Sequence, residues 1–218
     1  MDKKVLDQQS QYWEKNFLNK PEMFGLDPSI AAVSSLNFFK DKKIIELGAG
    51  LGRDTIFFAQ NSIPVECLDY SQRAIEIIRE KSKKLKLTKL IKTKIFDVRK
   101  KLPFKSGTID GCFSHMLYCM ALSNYDLENL NKEILRILKP GGINIYTVRN
   151  TDDGDYKNGN YIGEDLYESN GFIVHFFSKD KINKLSKGFE ILSIEKFEEG
   201  AYPRKLFKVI LKKKLLPR

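Results

Sequence analysis

Glu46-Leu47-Gly48-Ala49-Gly50-Leu51-Gly52 lies directly between an apolar run, Lys43–Leu47, and a segment with helical spacing over 53–61. A strand that breaks into alternating glycines and then enters a helix makes a tight turn. Its backbone can be approached closely, because no Cβ stands in the way. The helix that follows offers unpaired N–H groups and the positive end of its dipole at the same point. In an open α/β sheet this crevice, at the carboxyl end of the first strand, is where ligands bind.

Working outward, strand and helix patterns alternate. Residues 64–68 read as a second strand ending at Asp69, and Ser71 is placed to cap the helix that follows through Ala74, Ile75, Ile78 and Leu85. Residues 91–96, 108–113 and 143–148 read as further strands. A helix over 126–138 precedes the last of these and is closed by Pro140-Gly141-Gly142. Such alternation predicts a parallel sheet covered on both faces. Beyond it, a helix near 179–187 leads to two strand-like runs, 189–197 and 205–213, joined by a short Gly/Pro-containing connection, which should pair antiparallel. Residues 7–19 and 28–39 read as two helices before the first strand, and 150–165 as a polar, glycine-rich loop. The expected fold is a Rossmann-like, doubly wound α/β domain. Its seven-stranded, mostly parallel sheet has an antiparallel edge strand and helices on both faces.

The 218 residues, 42% hydrophobic and 11% aromatic, suffice for one core. We therefore read residues 1–218 as a single domain: an N-terminal helical lid (1–40), a ligand-binding core (41–150), and a substrate-side loop with C-terminal edge strands (151–218). The first residues lack the apolar core of a signal peptide, and no apolar run approaches the roughly 20 residues of a membrane span. A soluble, cytoplasmic protein without membrane association is expected. Cys67, Cys112 and Cys119 form no CxxC pair, and the first two fall within strands, as buried thiols do. With His115 and His175 the only histidines, no metal site is expected. The formal net charge of +10 admits an acidic partner, yet the lysines are scattered over helix faces and along the last strand, where they would block edge pairing.

Glycine spacing separates two ligand classes. A dinucleotide fold favours G-x-G-x-x-G. Here the pattern is G-x-G-x-G, and Arg53 occupies the place of the third glycine. Glu46, two residues before the first glycine, suits an ammonium group better than a pyrophosphate. A carboxylate at Asp69 can accept from both ribose hydroxyls, which supports a nucleoside in either class. Asp97 could accept from an adenine amino group, with Val98 offering a backbone N–H and an apolar wall.

These pieces, together with FDVRKKLPF (96–104), TIDGCFSHMLY (108–118) and ILKPGG (137–142), fall in an order that resembles the class I S-adenosylmethionine-dependent methyltransferases. The resemblance covers roughly residues 40–150. It implies S-adenosylmethionine as cofactor: Glu46, Gly48, Ala49, Gly50 and Arg53 at its amino-acid end, Asp69 on the ribose, Tyr70, Asp97 and Val98 around adenine, and Ser114 and Met116 by the sulfonium. Arg53-Asp54, Tyr12-Trp13 and the stretch 146–177 are loosely similar to the small-molecule branch, such as thiopurine and tellurite-resistance methyltransferases. A small-molecule acceptor is expected. Substrate-side candidates are His115, Tyr118, Arg149 and Tyr12, with Asp155 and Tyr156 nearby. Arg149 could equally pair with Asp152, Asp153 or Asp155. Tyr12, Trp13, Met23 and Phe24 could form a lid. An RNA or protein acceptor is the rival, although Ser114-His115-Met116-Leu117 stands where amine-methylating nucleic-acid enzymes carry Asn/Asp-Pro-Pro-Tyr. An NAD(P)-binding oxidoreductase is a further alternative. Asp69, as a solvent-facing strand end, should be replaceable by alanine with loss of cofactor and retention of fold. The acceptor atom and the oligomeric state are left open.

Overall fold

The computed structural model describes residues 3–200, Tyr202 and 204–215. The sequence reading of the amino terminus at Met1 and Asp2, and of Pro203 in the last connection, lies outside the described residues. Along the chain run α1 (Lys3–Asn19), α2 (Ile30–Phe39), β1 (Ile44–Leu47), α3 (Arg53–Gln60), β2 (Val65–Asp69), α4 (Gln72–Lys84), β3 (Ile91–Ile95), β4 (Ile109–Ser114), α5 (Asn124–Ile137) and β5 (Leu138–Arg149). Then come β6 (Asn160–Gly163), β7 (Leu166–Ser169), β8 (Phe172–His175), α6 (Lys179–Leu185), β9 (Phe189–Glu199) and β10 (Arg204–Lys213). No helix among the described residues is long and apolar enough to cross a membrane.

Seven strands form one sheet in the order β3-β2-β1-β4-β5-β10-β9. The parallel strands β2, β4 and β5 follow from the alternating pattern, since helices return the chain to the same end of the sheet. β1 lies inside the sheet between β2 and β4, and all four of its residues are buried, as a strand covered on both faces requires. The helices begin where side chains can cap them. Ser71 Oγ accepts from Ala74 N at 3.0 Å, and Ser123 with Asp126 forms a reciprocal capping box on α5. Lysines 81, 83 and 84 sit in the last turn of α4, where the dipole favours cations.

The two faces of the sheet hold two cores. On one, Ile45, Leu47, Leu68 and Cys112 meet Leu127, Leu130 and Ile134 of α5. On the other, Ile44, Val65, Cys67 and Phe113 meet Phe39, Phe58, Ile75 and Ile78. Phe39, Phe58 and Phe113 pack edge to face with centroids 5.0–6.4 Å apart, so truncating Phe58 would remove about 3–5 kcal/mol. All three cysteines are free and buried.

The seven-stranded, mostly parallel sheet with an antiparallel pair at one edge is the expected one. Two finer points are corrected. Within that pair the reversed strand is β10, antiparallel to both β5 and β9, and β9 is the outermost. The lysines of β10 therefore guard no edge. Lys208 is buried, its Nζ 2.9 Å from Glu195 Oε2 and 2.9 Å from Ser34 Oγ. The last strand in sequence is simply not the last in space. Nor is 150–165 all loop: residues 160–163 open a second, three-stranded sheet, β6-β7-β8. Its four-residue strands turn through left-handed residues, Glu164, Asp165 and Asn170, and are too short to show alternation.

Candidate functional site

The glycine turn is closed by backbone bonds. Gly48 N and Ala49 N both donate to Leu68 O, at 2.8 and 3.3 Å, which fastens the turn to the end of β2. Gly50 and Gly52 have φ of +52° and +80°, in the region that L side chains avoid. A Cβ on Gly48 would stand 2.9 Å from Leu117 Cδ1, and one on Gly52 2.5 Å from Ile78 Cγ1.

Asp69 completes the turn. Its Oδ2 accepts from Gly50 N at 2.8 Å and its Oδ1 from Ser71 N at 2.9 Å. The side chain is buried, not solvent-facing as the sequence suggested; it has a structural role in the turn as well as lone pairs to spare for a ligand. Burial pushes its pKa up to about 6, against the pull of those two N–H groups. Glu46 is also buried. Thr55 Oγ1 donates to its Oε2, while burial and the charges of Asp54 and Asp69 hold its carboxyl well above the usual range.

The turn opens onto a cavity of about 500 Å³, of the size that takes a drug-sized ligand. Glu46, Gly48, Ala49, Gly50 and Asp69 form its floor. Tyr70, Phe96, Val98 and Met116 line the side toward β2, β3 and β4. Met116 is held at φ +63° by its N–H, which donates to Thr147 Oγ1 at 2.9 Å.

The roof comes from α1 and the small sheet. Tyr12 stacks on Phe172 with centroids 5.4 Å apart, and Trp13 meets Phe17 and Phe24. Gln9 fastens the two elements: its Nε2 donates to Gly171 O at 2.8 Å and its Oε1 accepts from Ile173 N at 3.3 Å.

Part of the cavity lining is charged. Arg53 Nη1 donates to Phe24 O at 3.2 Å, and its Nη2 lies 2.9 Å from Glu199 Oε1 and 3.2 Å from His115 Nε2. Because a guanidinium only donates, His115 Nε2 must accept. The ring proton is then on Nδ1, which donates to Thr147 Oγ1 at 3.0 Å. Burial, then the charges of Arg53 and Arg204, press the His115 pKa down to about 3, so the ring is neutral. Arg149 also reaches the cavity, but its guanidinium is paired with Asp153 and Asp155. Asp152 goes instead to Lys196, at 2.6 Å.

Three expected residues lie away from the cavity surface. Asp97 is engaged by Arg99, whose Nη2 donates to it at 2.8 Å, and only its neighbours Phe96 and Val98 line the space. Ser114 is buried, with no hydrogen-bond partner for its Oγ among the described residues. Tyr118 is core: it stacks on Tyr146 at 4.1 Å and donates to Asn131 Oδ1 at 2.8 Å. It lies in the turn after β4, where its ring is packed into the core on the α5 side of the sheet. The reading in turn missed Glu199, Arg204 and Phe172. No motif marks them; only the insertion of β10 and the folding of the small sheet bring them to the cavity.

Residues 44–142 match a family profile described as a methyltransferase domain. Over 106 residues the chain is 34% identical to the ribosomal RNA small subunit methyltransferase A of Borreliella afzelii. That alignment takes in 47% of this chain and 37% of the relative, so the chain matches little more than a third of the curated protein's length. Among solved structures, an S-adenosylmethionine-dependent methyltransferase of Methanosarcina mazei superposes with a TM-score of 0.73 at 19% identity, over 88% of this chain and 100% of its own. The 1,6-didemethyltoxoflavin-N1-methyltransferase of Burkholderia thailandensis, solved with 1,6-didemethyltoxoflavin and S-adenosylhomocysteine, superposes with a TM-score of 0.76 at 13% identity, over 95% of this chain and 88% of its own.

Proposed function

We infer that the chain, whose residues 44–142 match a methyltransferase-domain profile, is a class I methyltransferase that transfers a methyl group from S-adenosylmethionine to a small-molecule acceptor. One observation carries the reading. A turn of left-handed glycines and a buried strand-end carboxylate share a single cavity, closed above by aromatic side chains of α1 and β8.

The donor set suits this cofactor. The Gly48–Gly50 backbone and the carboxyl of Glu46 would hold the amino-acid end, where an ammonium group offsets the buried negative charge. Asp69 would take the ribose hydroxyls, and Tyr70, Phe96 and Val98 would flank the adenine. With its carboxylate committed to Arg99, Asp97 contributes through the backbone around it rather than by its side chain. When bound, the cofactor supplies a methyl group on an electron-poor sulfur. The protein's work is to orient the acceptor in line with that carbon and to exclude water. Met116 and Leu117, on the glycine-turn side, shape the space for the sulfonium.

The roof favours a small acceptor over a polymer, because Tyr12, Trp13 and Phe172 would have to part to admit a structured chain. The ribosomal RNA relative keeps an RNA acceptor as the rival. Free, buried cysteines fit a reducing compartment, so we read the enzyme as cytoplasmic. Isothermal titration with S-adenosylmethionine, S-adenosylhomocysteine and NAD tests the reading. The first two should bind and NAD should not; the reverse order would overturn it. A screen of labelled methyl transfer to metabolite pools and to ribosomal RNA then separates the acceptors.

A further inference from the structure

The charged wall holds two groups that nothing else in the site uses. Arg53 and Arg149 are both spent on carboxylates of the chain. Arg204, the first residue of β10, lines the same cavity, yet its guanidinium makes no salt bridge among the described residues. Its charge is felt by both His115 and Glu199. Glu199, the last residue of β9, gives Oε1 to Arg53, while its Oε2 is buried without a hydrogen-bond partner among the described residues. The polar group set against that oxygen is His115 Nε2, 3.7 Å away. This nitrogen accepts from Arg53 and so has no proton to give. A buried carboxylate oxygen with no donor calls for an explanation, and a donor arriving with a ligand supplies one. The rings of Tyr12, Trp13 and Phe172 line the same cavity as these two groups and the glycine turn.

Building on the methyltransferase reading, we propose that Glu199 accepts the proton of the methyl acceptor while Arg204 binds an anionic oxygen of the same molecule. The acceptor is then a planar aromatic or heteroaromatic oxyanion, such as a carboxylated ring, that reacts through an O–H or N–H. In the step, the acceptor oxygen or nitrogen forms a bond to the methyl carbon. The carbon–sulfur bond breaks with its electron pair left on sulfur, neutralising the sulfonium. The acceptor's proton passes to Glu199 Oε2 and from there to solvent after product leaves. Arg53 holds Glu199 in place by its bond to Oε1.

Calorimetry with probe rings tests this without knowledge of the natural acceptor. Protein saturated with S-adenosylhomocysteine is titrated with the three hydroxybenzoate isomers, with benzoate and with phenol. At least one hydroxybenzoate should bind tenfold more tightly than both benzoate, which lacks the donor, and phenol, which lacks the anion. Arg204→Gln should bring that isomer to within threefold of phenol, and Glu199→Gln to within threefold of benzoate. Each variant should still bind S-adenosylhomocysteine within threefold of the wild type and keep its melting transition. Equal binding of all the probes, no binding by any, or a preference that survives both substitutions would overturn the proposal. Failure of the wild type to bind S-adenosylhomocysteine would instead sink the methyltransferase reading itself. Where Glu199→Gln does not fold, Glu199→Asp, which retracts the carboxylate, should weaken the hydroxybenzoate alone.

Discussion

Arg53 and Glu199, 146 positions apart, meet at 2.9 Å across the candidate site. The bond ties the first turn of α3 to the end of β9, and the same guanidinium reaches the loop after α1 through Phe24 O. Both side chains are largely buried, with exposures of 21% and 16%, so solvent screens the pair only in part. Arg53→Ala would leave Glu199 without the one hydrogen-bond donor it has among the described residues and should cost about 2–3 kcal/mol of stability. Arg53→Ala with Glu199→Ala should cost less than the sum of the two single changes, by about 1 kcal/mol or more. Urea denaturation of the four proteins in the cycle measures this, and strict additivity would show the pair to be uncoupled.

Asp69 yields a pH dependence. Its pKa is raised to about 6 in the fold from an ordinary 3.8, so between these values the native state holds more proton than the unfolded one. Its contribution to stability is therefore most favourable below pH 3.8 and is lost as pH rises to about 6. Ligand binding runs the other way, since ribose hydroxyls donate best to the ionised carboxylate. Affinity for S-adenosylhomocysteine should be flat from pH 7 to 8 and fall as pH drops below about 6, by up to about tenfold per unit. Asp69→Asn should bind at least ~10-fold more weakly at pH 7.5 and lose the dependence. A profile in the variant that parallels the wild type would assign the titration to another group.

How legible this site was depended on whether its parts lie near one another in sequence. The glycine turn, Asp69 and the capping serine Ser71 announce themselves, because strand, turn and helix follow without interruption and each local choice agrees with the fold. Glu199 and Arg204 do not. They flank a connection at the sheet's far edge, and only the insertion of β10 between β5 and β9 brings them to the cavity. Tyr118 misled for a related reason: it lies close to the tip of β4, but its ring stacks on Tyr146 in the core. Lys208 looked like an edge residue until the strand order made it an interior one, ion-paired to Glu195.

The roof should be separable from the fold. Gln9 links α1 to β8 through two hydrogen bonds, and Trp13, the one tryptophan in the chain, lines the cavity beneath. Trp13 emission should therefore change when S-adenosylhomocysteine binds. Gln9→Ala should shift the emission of the free protein to the red and speed ligand dissociation severalfold. The melting temperature should fall by about 2–8 °C, since losing two hydrogen bonds of this buried side chain costs about 1–2 kcal/mol. Hydrogen exchange would localise the change: faster exchange confined to α1 and β8 is expected, and exchange spread through the central sheet would mean the roof is part of the folding core.

Gly50 and Gly52 should fail in different ways when given a side chain. Both have positive φ, which costs an alanine roughly 1–3 kcal/mol at either position. At Gly52 the new Cβ would also meet Ile78 Cγ1 at 2.5 Å, inside the buried contact between α3 and α4. At Gly50 the nearest atom is Phe17 Cζ, at 3.8 Å, an ordinary contact. Gly52→Ala should therefore destabilise by roughly 2–6 kcal/mol through strain and overpacking together. Its affinity for S-adenosylhomocysteine, measured where it is still folded, should fall modestly. Gly50→Ala should destabilise less, by about 1–3 kcal/mol of strain alone, but its methyl group would project toward Phe17, which lines the cavity, and affinity should fall at least ~10-fold. Thermal melts with and without ligand distinguish the two. The reading of the turn as a ligand cradle requires Gly50→Ala to lose most of the ligand-induced rise in melting temperature while Gly52→Ala keeps it. The opposite pattern would make Gly50 a packing residue and move the binding surface elsewhere.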